Sequence, residues 1–371
     1  MNFEQIETPA LILDKNILCH NINKMQRHLN NFQIKFRVHG KTAKCMEIIK
    51  LINTQGITVS NLHEAEYYFS HGIKDILYAV GIAPGKFDHV FDLIRRGADL
   101  SVIVDNTAAA EMLSEKSNQK NIPILVYIEI DCDQRRGGID PEDPEFISLG
   151  LMINQNKNLK LQGVLTHAGK SYQAKSIQEI KLIAKQERDC AVNAAKILRN
   201  QGLNCPQTSI GSTPTVLFSQ NFQGISEVRA GVYIFNDLTM LNLGVCTPDE
   251  IALSVLGSVI GHQVNRNQII TDTGWMSLSS DRGIVHPEIP LNFGLVADID
   301  GNIYPDLIVS SVNQEHGIIS SKNSEKIDFN NFPMGKLIRI FPNHACATAA
   351  RFRRYYLWEN KKEITGFWEK I

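Results

Sequence analysis

The chain has no Cys-x-x-Cys pair among its seven cysteines. Their odd count and scattered spacing argue against a disulfide framework and point to a reducing compartment, the cytoplasm. No run approaches the roughly 18 uninterrupted apolar residues of a membrane-spanning helix. The opening MNFEQIETPALILDK has no basic segment ahead of its short apolar run, so no secretory signal is expected there. Neither sign of charge is in excess, with 38 Lys plus Arg against 39 Asp plus Glu, which leaves no footprint for nucleic acid or a membrane surface. No Gly-x-Gly-x-x-Gly follows an early strand-like run, which weighs against a dinucleotide-binding fold. What is present is 371 residues, 43% apolar and 21% charged. That is the composition of a soluble globular chain long enough for two domains.

Eight short β-type runs occupy the first two thirds: IKFRV (34–38), ITVS (57–60), ILYAV (76–80), SVIV (101–104), ILVYIEI (124–130), LQGVLT (161–166), QTSIG (207–211) and SEVRAG (226–231). Between them lie segments of helical period such as HEAEYYFSHGI and KLIAKQERDCAVNAAKILRNQGL, the second closed by Gly202, a good helix stop. Strands alternating with helices imply a parallel sheet, and eight repeats imply closure into an α/β, (β/α)8 TIM-type barrel. An open doubly wound sheet is the alternative. From about residue 243, ALSVLGSVIG, QIIT, GLVADI, IYPDLIVS and KLIRIF follow one another without helical segments. The expectation is a barrel over 13–242 followed by a mainly β C-terminal domain over 243–371, which residues 1–12 join as an N-terminal strand.

Barrel enzymes place their chemistry at the C-terminal ends of the strands. The first strand leads into RVHGKTAK (37–44), where side-chain alternation puts Lys35, Arg37, His39 and Lys41 on one face and Ile34, Phe36 and Val38 on the other. A solvated basic loop would explain this segment alone. The later strands add DCDQRRGGI (131–139), THAGKSY (166–172), GSTPT (211–215) and EVRAGVY (227–233). Phosphate sites in barrels frequently use the loops after strands seven and eight, where Gly211, Ser212, Thr213 and Gly231 fall. A phosphate pocket facing a lysine suggests pyridoxal 5'-phosphate held through its aldehyde by Lys41. Lys41 must be neutral to do this, and Arg37 and Lys44 nearby are expected to disfavour its protonation. Near the C-terminus, PNHACAT (342–348) sets His344 and Cys346 two apart. A buried cysteine in a turn is one reading. The other is a metal pair whose side chains point the same way on a strand, with thiolate and imidazole favouring zinc and open positions left for substrate.

Taken in order, these segments resemble the fold-type III pyridoxal-phosphate enzymes of the D-serine dehydratase/D-threonine aldolase group, with an alanine racemase-like barrel. TPALILD, RVHGKTAK, DCDQRRGG, HAGKSY, GSTPT, RAGVYIFND, DTGWMSLSSDRG, QEHG and PNHACAT carry the likeness nearly end to end. The resemblance implies that Lys41 carries the cofactor and moves the α-proton, with His39 in the same lysine segment. Arg136 faces the ring hydroxyl side, and Arg229 meets the pyridine nitrogen and keeps it unprotonated. Ser212 and Thr213, with Gly211 and Gly231, bind phosphate with Tyr233 close by, and His167 and Tyr172 line the pocket. Val38, Asp133, Ala230 and Lys170 depart from the family pattern, and Lys170 adds a charge suited to a second substrate carboxylate. His-x-Cys rather than His-x-Asp leans toward a dehydratase over an aldolase. An amino-acid racemase, with a second base among Tyr304, Tyr355 and Tyr356, and a non-catalytic pyridoxal-phosphate-binding protein are the remaining alternatives. A small D-amino acid is the implied partner, and a homodimer the implied assembly.

Overall fold

Each apolar run between residues 34 and 231 becomes a strand in the structure, a computed structural model that describes residues 2–283, 292–360 and 363–371. Two units are present, Met25–Gly231 and Met1–Lys24 with Val232–Ile371. Strands are numbered along the chain, and β1 (Ala10–Asp14) belongs to the second unit. The first unit holds β2 (Lys35–His39), β3 (Ile57–Val59), β4 (Asp75–Tyr78), β5 (Asp99–Val104), β6 (Ile124–Glu129), β7 (Leu159–Leu165), β8 (Gln207–Ile210) and β9 (Glu227–Ala230). All eight are parallel and close into a barrel when β9 pairs with β2. This rules out the open doubly wound sheet.

Four of the helices between these strands begin where a polar side chain accepts a backbone N–H that has no partner within the helix. Asn61, Asn106, Asp143 and Ser176 each accept a first-turn N–H, and so start helices Leu62–Ser70, Thr107–Lys120, Pro144–Gln155 and Ile177–Asn200. Gly97 and Gly202, at φ of 103° and 76°, end the helices Phe87–Arg95 and Ile177–Asn200 in a conformation that a side chain would strain. One face of Phe87–Arg95 buries Phe87, Val90, Phe91 and Leu93. Each such side chain contributes about 1.5–3 kcal/mol, so the amphipathic face, not helix propensity, holds this layer on the barrel.

The second unit is built on a nine-stranded sheet. Its strands are β1, β10 (Leu253–Gln263), β11 (Gln268–Thr271), β12 (Leu295–Ala297), β13 (Ile303–Val312), β14 (Gly317–Ser321), β15 (Leu337–Phe341), β16 (Arg354–Glu359) and β17 (Glu363–Glu369). Their order is β11-β14-β13-β12-β15-β10-β1-β16-β17, and an extra β10–β11 pairing closes six of them into a ring. ALILD forms β1, antiparallel to β10 and parallel to β16. Ile6, Ala10, Ile12, Leu256, Trp358 and Ile364 pack as one core around it. Arg339 on β15 is buried, and it is tolerated because Nε donates to Ser254 Oγ at 2.8 Å and the guanidinium lies 4.3 Å from the Trp358 ring centroid. Among the described residues no helix is long and apolar enough to cross a membrane.

Candidate active site

The lysine loop is set by a buried tyrosine. Gly40, directly after β2, donates its N–H to the Thr58 carbonyl and accepts from both the Tyr68 hydroxyl (2.9 Å) and the Lys44 N–H (2.9 Å). A Cβ on Gly40 would lie 2.5 Å from the Tyr68 ring, so only glycine lets the strand end this close to helix Leu62–Ser70. Lys41 follows with its N–H 3.4 Å from His39 Nδ1. Arg37 and Lys44 do not stand as bare cations beside it. Arg37 donates to Glu227 (2.8 Å) and to both oxygens of Asp75, and Lys44 lies 3.7 Å from Glu64. The charges expected from the sequence to act on Lys41 are thus each matched by a carboxylate. Gly56 makes room for this, since a Cβ there would meet Arg37 at 2.4 Å and Asp75 at 2.6 Å.

Around the lysine loop, two imidazoles are kept neutral. Burial, then Lys41, Arg229, His167 and Arg136, push His39 well below the ordinary imidazole range. His167, after β7, falls to about 3 through burial and Arg136. His167 Nδ1 lies 2.7 Å from the Gly211 carbonyl, an acceptor only, so Nδ1 carries the proton. The Tyr172 ring centroid is 6.0 Å from that of His167. Arg136 itself is exposed. The buried Arg229 donates to Ser209 Oγ and to the Thr166 carbonyl, each at 2.6 Å.

The GSTPT segment turns from β8 into the short helix Thr213–Phe218, which Ser212 caps. The Ser212 hydroxyl also contacts Ser171 Oγ at 2.8 Å and Thr215 Oγ1 at 2.9 Å. Gly211 has φ of 147°, and a Cβ on it would lie 2.0 Å from the Arg229 carbonyl. Its N–H goes to Glu187 Oε1 at 3.1 Å, so this amide is spent inside the protein. A Cβ on Gly231 would meet Thr42 Oγ1 at 2.7 Å, which places the loop after β9 against the lysine loop. Tyr233 lies in the second unit, buried, with its phenol pushed up by that burial.

Three residues that the sequence reading passed over hold this arrangement: Glu187, Ser209 and Glu227. Glu187 accepts from Ala168 N (2.9 Å) and Gly211 N, so one carboxyl ties the loop after β7 to the loop after β8. A signal existed: Glu187 falls on the buried stripe Ile180, Ala184, Ala191, Ala194, Ala195 and Leu198 of its helix. A carboxylate at a core position of an amphipathic helix needs a partner.

Lys41 with the neutral imidazoles of His39 and His167 and the guanidinium groups of Arg136 and Arg229 fits an anionic, planar cofactor. His344 and Cys346, in the second unit, are not on a strand as expected. Ala345 N is held by Asp237 Oδ2 at 2.9 Å, and the chain turns after β15 into the short helix Ala345–Ala349, with His344 as its N-cap. His344 Nδ1 lies 2.6 Å from Asp281 Oδ2, and the Cys346 thiol hydrogen-bonds the same imidazole. Burial opposes protonation of His344, but Asp281, Cys346 and Asp237 outweigh it and raise the group to about 11. A carboxylate on one ring nitrogen is the usual support of a metal-binding histidine, so the donor set suits a soft divalent ion. Among the described residues no third His, Cys, Asp or Glu completes a three-ligand set.

The closed barrel and its lysine, imidazole and arginine cluster define an alanine racemase-type cofactor barrel. The alanine racemase N-terminal domain family matches residues 13–238, and a serine dehydratase domain family matches residues 252–358. The chain belongs to this two-domain family of fold-type III pyridoxal-phosphate proteins. It is 41% identical over 356 residues to the D-threo-3-hydroxyaspartate dehydratase of Delftia sp. (strain HT23), covering 94% of this chain and 93% of that protein. It is 31% identical to the D-serine dehydratase of Dictyostelium discoideum, covering 98% and 96%. A metal-free cysteine-to-alanine variant of D-threo-3-hydroxyaspartate dehydratase superposes with a TM-score of 0.97 at 39% identity, over 100% of this chain and 99% of that one. A histidine-to-alanine variant of that dehydratase, also with a TM-score of 0.97, carries its substitution two residues before that cysteine.

Proposed function

We propose that this protein is a pyridoxal-phosphate- and metal-dependent lyase of D-β-hydroxy amino acids, acting as a dehydratase on D-threo-3-hydroxyaspartate or D-serine. The observation that carries the reading is the His344–Cys346 pair backed by Asp281. It has the spacing of the histidine and cysteine substituted in variants of a D-threo-3-hydroxyaspartate dehydratase, the cysteine variant being described in its metal-free form. Bound pyridoxal phosphate supplies an electron sink for a bond broken at Cα. Lys41 Nζ would hold it through the aldehyde and, as the free amine, would be the base for the Cα proton. Arg229 would face the ring nitrogen and Arg136 the ring hydroxyl side, and Ser212, Thr213, Gly231 and Tyr233 would hold the phosphate. Glu187 takes the Gly211 N–H, so Gly211 shapes this loop by the side chain it lacks. His39, His167 and Tyr172 line the ring. Zinc held by His344 and Cys346 would supply Lewis acidity toward a β-hydroxyl. Loss of the Cα proton and the β-hydroxyl expels water, and hydrolysis of the resulting imine takes water up again. The net products are a keto acid and ammonia.

Asp133 accepts the Lys170 N–H at 2.7 Å, which joins the loops after β6 and β7, and Lys170 is exposed at that rim. Lys170 accordingly serves the second carboxylate of 3-hydroxyaspartate. The assembly we propose is a cytoplasmic homodimer. The test is incubation of the holoenzyme, with and without Zn²⁺, with D-serine, D-threonine and D-threo-3-hydroxyaspartate. Zinc-dependent keto acid plus ammonia supports the reading, and glycine plus an aldehyde overturns it in favour of an aldolase. Lys41→Ala should lose borohydride-reducible cofactor, and Lys170→Ala should raise KM for hydroxyaspartate but not for D-serine.

A further inference from the structure

We infer that Ser209 and Glu227 are positioning residues for the cofactor, fixing the orientation of the Arg229 guanidinium through a buried chain of hydrogen bonds in the barrel. The inference rests on the proposal above that Arg229 faces the ring nitrogen.

The chain of contacts is continuous. Asp75 binds Arg37 Nη1 and Nη2 at 2.6 and 3.0 Å, and Arg37 Nε donates to Glu227 Oε2 at 2.8 Å. Ser209 Oγ donates to Glu227 Oε1 at 2.7 Å, and Arg229 Nη1 donates to Ser209 Oγ at 2.6 Å. Arg229 Nη2 ends the chain on the Thr166 carbonyl. Arg37, Ser209, Glu227 and Arg229 are all buried. The β2–β9 register sets Arg37 opposite Arg229, and the β8–β9 register sets Ser209 opposite Glu227.

The direction of each bond follows from donor counting. A guanidinium only donates and an ionised carboxylate only accepts, so the single Ser209 proton must go to Glu227. The hydroxyl oxygen can then only accept, and it accepts from Arg229. Two guanidinium groups on adjacent strands repel, and one carboxylate serves both, directly to Arg37 and through the hydroxyl to Arg229. Burial disfavours the charged form of Arg229, and Glu227 is first among the groups that sustain it. Rotation of the Arg229 guanidinium would break the bonds to Ser209 and Thr166 together and leave buried donors unpaired. Glu227→Gln is not a neutral replacement. Its amide oxygen must face Arg37 Nε, so its NH2 faces Ser209, where Arg229 already donates and the hydroxyl proton loses its acceptor.

The test uses holoenzyme reconstituted with pyridoxal phosphate carrying 15N in the ring, comparing wild type with Ser209→Ala, Ser209→Cys, Glu227→Gln and Arg229→Gln. Read-outs are the ring-nitrogen resonance, the cofactor absorption spectrum and the cofactor Kd. Expected is a displaced ring-nitrogen resonance in all four variants, with cofactor binding weakened about tenfold in Ser209→Ala, the scale of a lost charge-assisted hydrogen bond. Ser209→Cys keeps the volume but donates weakly, so it should move the resonance even where Ser209→Ala folds poorly. A wild-type resonance and Kd in Ser209→Cys and Glu227→Gln, with Arg229→Gln displaced, would overturn the relay and leave the Arg229 reading intact. An unmoved resonance in Arg229→Gln would overturn the Arg229 reading itself.

Discussion

Replacing Glu187 by alanine removes one carboxyl and leaves two buried backbone N–H groups, those of Ala168 and Gly211, without their acceptor. Each buried donor left unpaired costs about 1–3 kcal/mol, so Glu187→Ala should destabilise the folded chain by about 2–6 kcal/mol, a large part of a domain's total. Glu187→Gln keeps the accepting oxygen and should lose far less. The charge matters separately. Burial pushes the Glu187 carboxyl above the usual carboxylate range, and the Thr215 hydroxyl and the Ala168 N–H only partly offset it. A carboxyl raised in this way holds its proton in the folded protein at a pH where the unfolded chain has released it. Its contribution is therefore fully present below the ordinary glutamate pKa and is lost as pH rises through the folded value. Glu187→Gln cannot titrate and should lack that decline. Urea unfolding of wild type, Glu187→Ala and Glu187→Gln across the acidic to neutral range reads both effects. The reasoning is refuted if Glu187→Gln is as unstable as Glu187→Ala, or if it shows the same fall with pH as wild type.

Three further outcomes follow from the same geometry. Arg37→Met leaves Glu227 and Asp75 without their shared cation and should cost about 3–5 kcal/mol in thermal or urea unfolding, the scale of a broken buried ion pair. Asp281→Asn weakens the carboxylate on His344 Nδ1 and should reduce zinc affinity about 10–100-fold in a chelator competition, with the cofactor absorption unchanged. Gly211→Ala forces a Cβ to 2.0 Å from the Arg229 carbonyl, a backbone atom that cannot step aside, and should give protein that fails to retain pyridoxal phosphate on gel filtration.

The barrel was legible because each run carries its own signal. IKFRV, ILYAV and LQGVLT are apolar, β-branched and flanked by helical-period segments, and they appear as β2, β4 and β7 within two residues of their expected ends. The ion pairing of Arg37 was not legible. Alternation told which face it occupied, but its partners Asp75 and Glu227 are 38 and 190 residues away, and only barrel closure brings them together. The same holds for Ser209, an ordinary strand residue until the register sets it opposite Glu227. PNHACAT misled in another way. Local spacing suggested a strand, yet the chain turns into a helix because Asp237, more than a hundred residues earlier, captures the Ala345 N–H. Ala345, Ala347 and Ala349 are good helix formers, so local propensity and the distant cap act together there against the strand that the spacing suggested.

The Arg37–Glu227–Asp75 cluster has one more consequence, for traffic. Asp75 and Glu227 open their strands, so Arg37 is clamped at the end of the barrel where the strands begin, with Arg37 and Glu227 buried and Asp75 partly exposed. A guanidinium held between two carboxylates has its charge matched on both sides, so this end of the barrel offers no bare cation to an incoming anion. An anionic cofactor or acid is drawn instead to the opposite mouth, where the strands end and lead into Lys41 and His167.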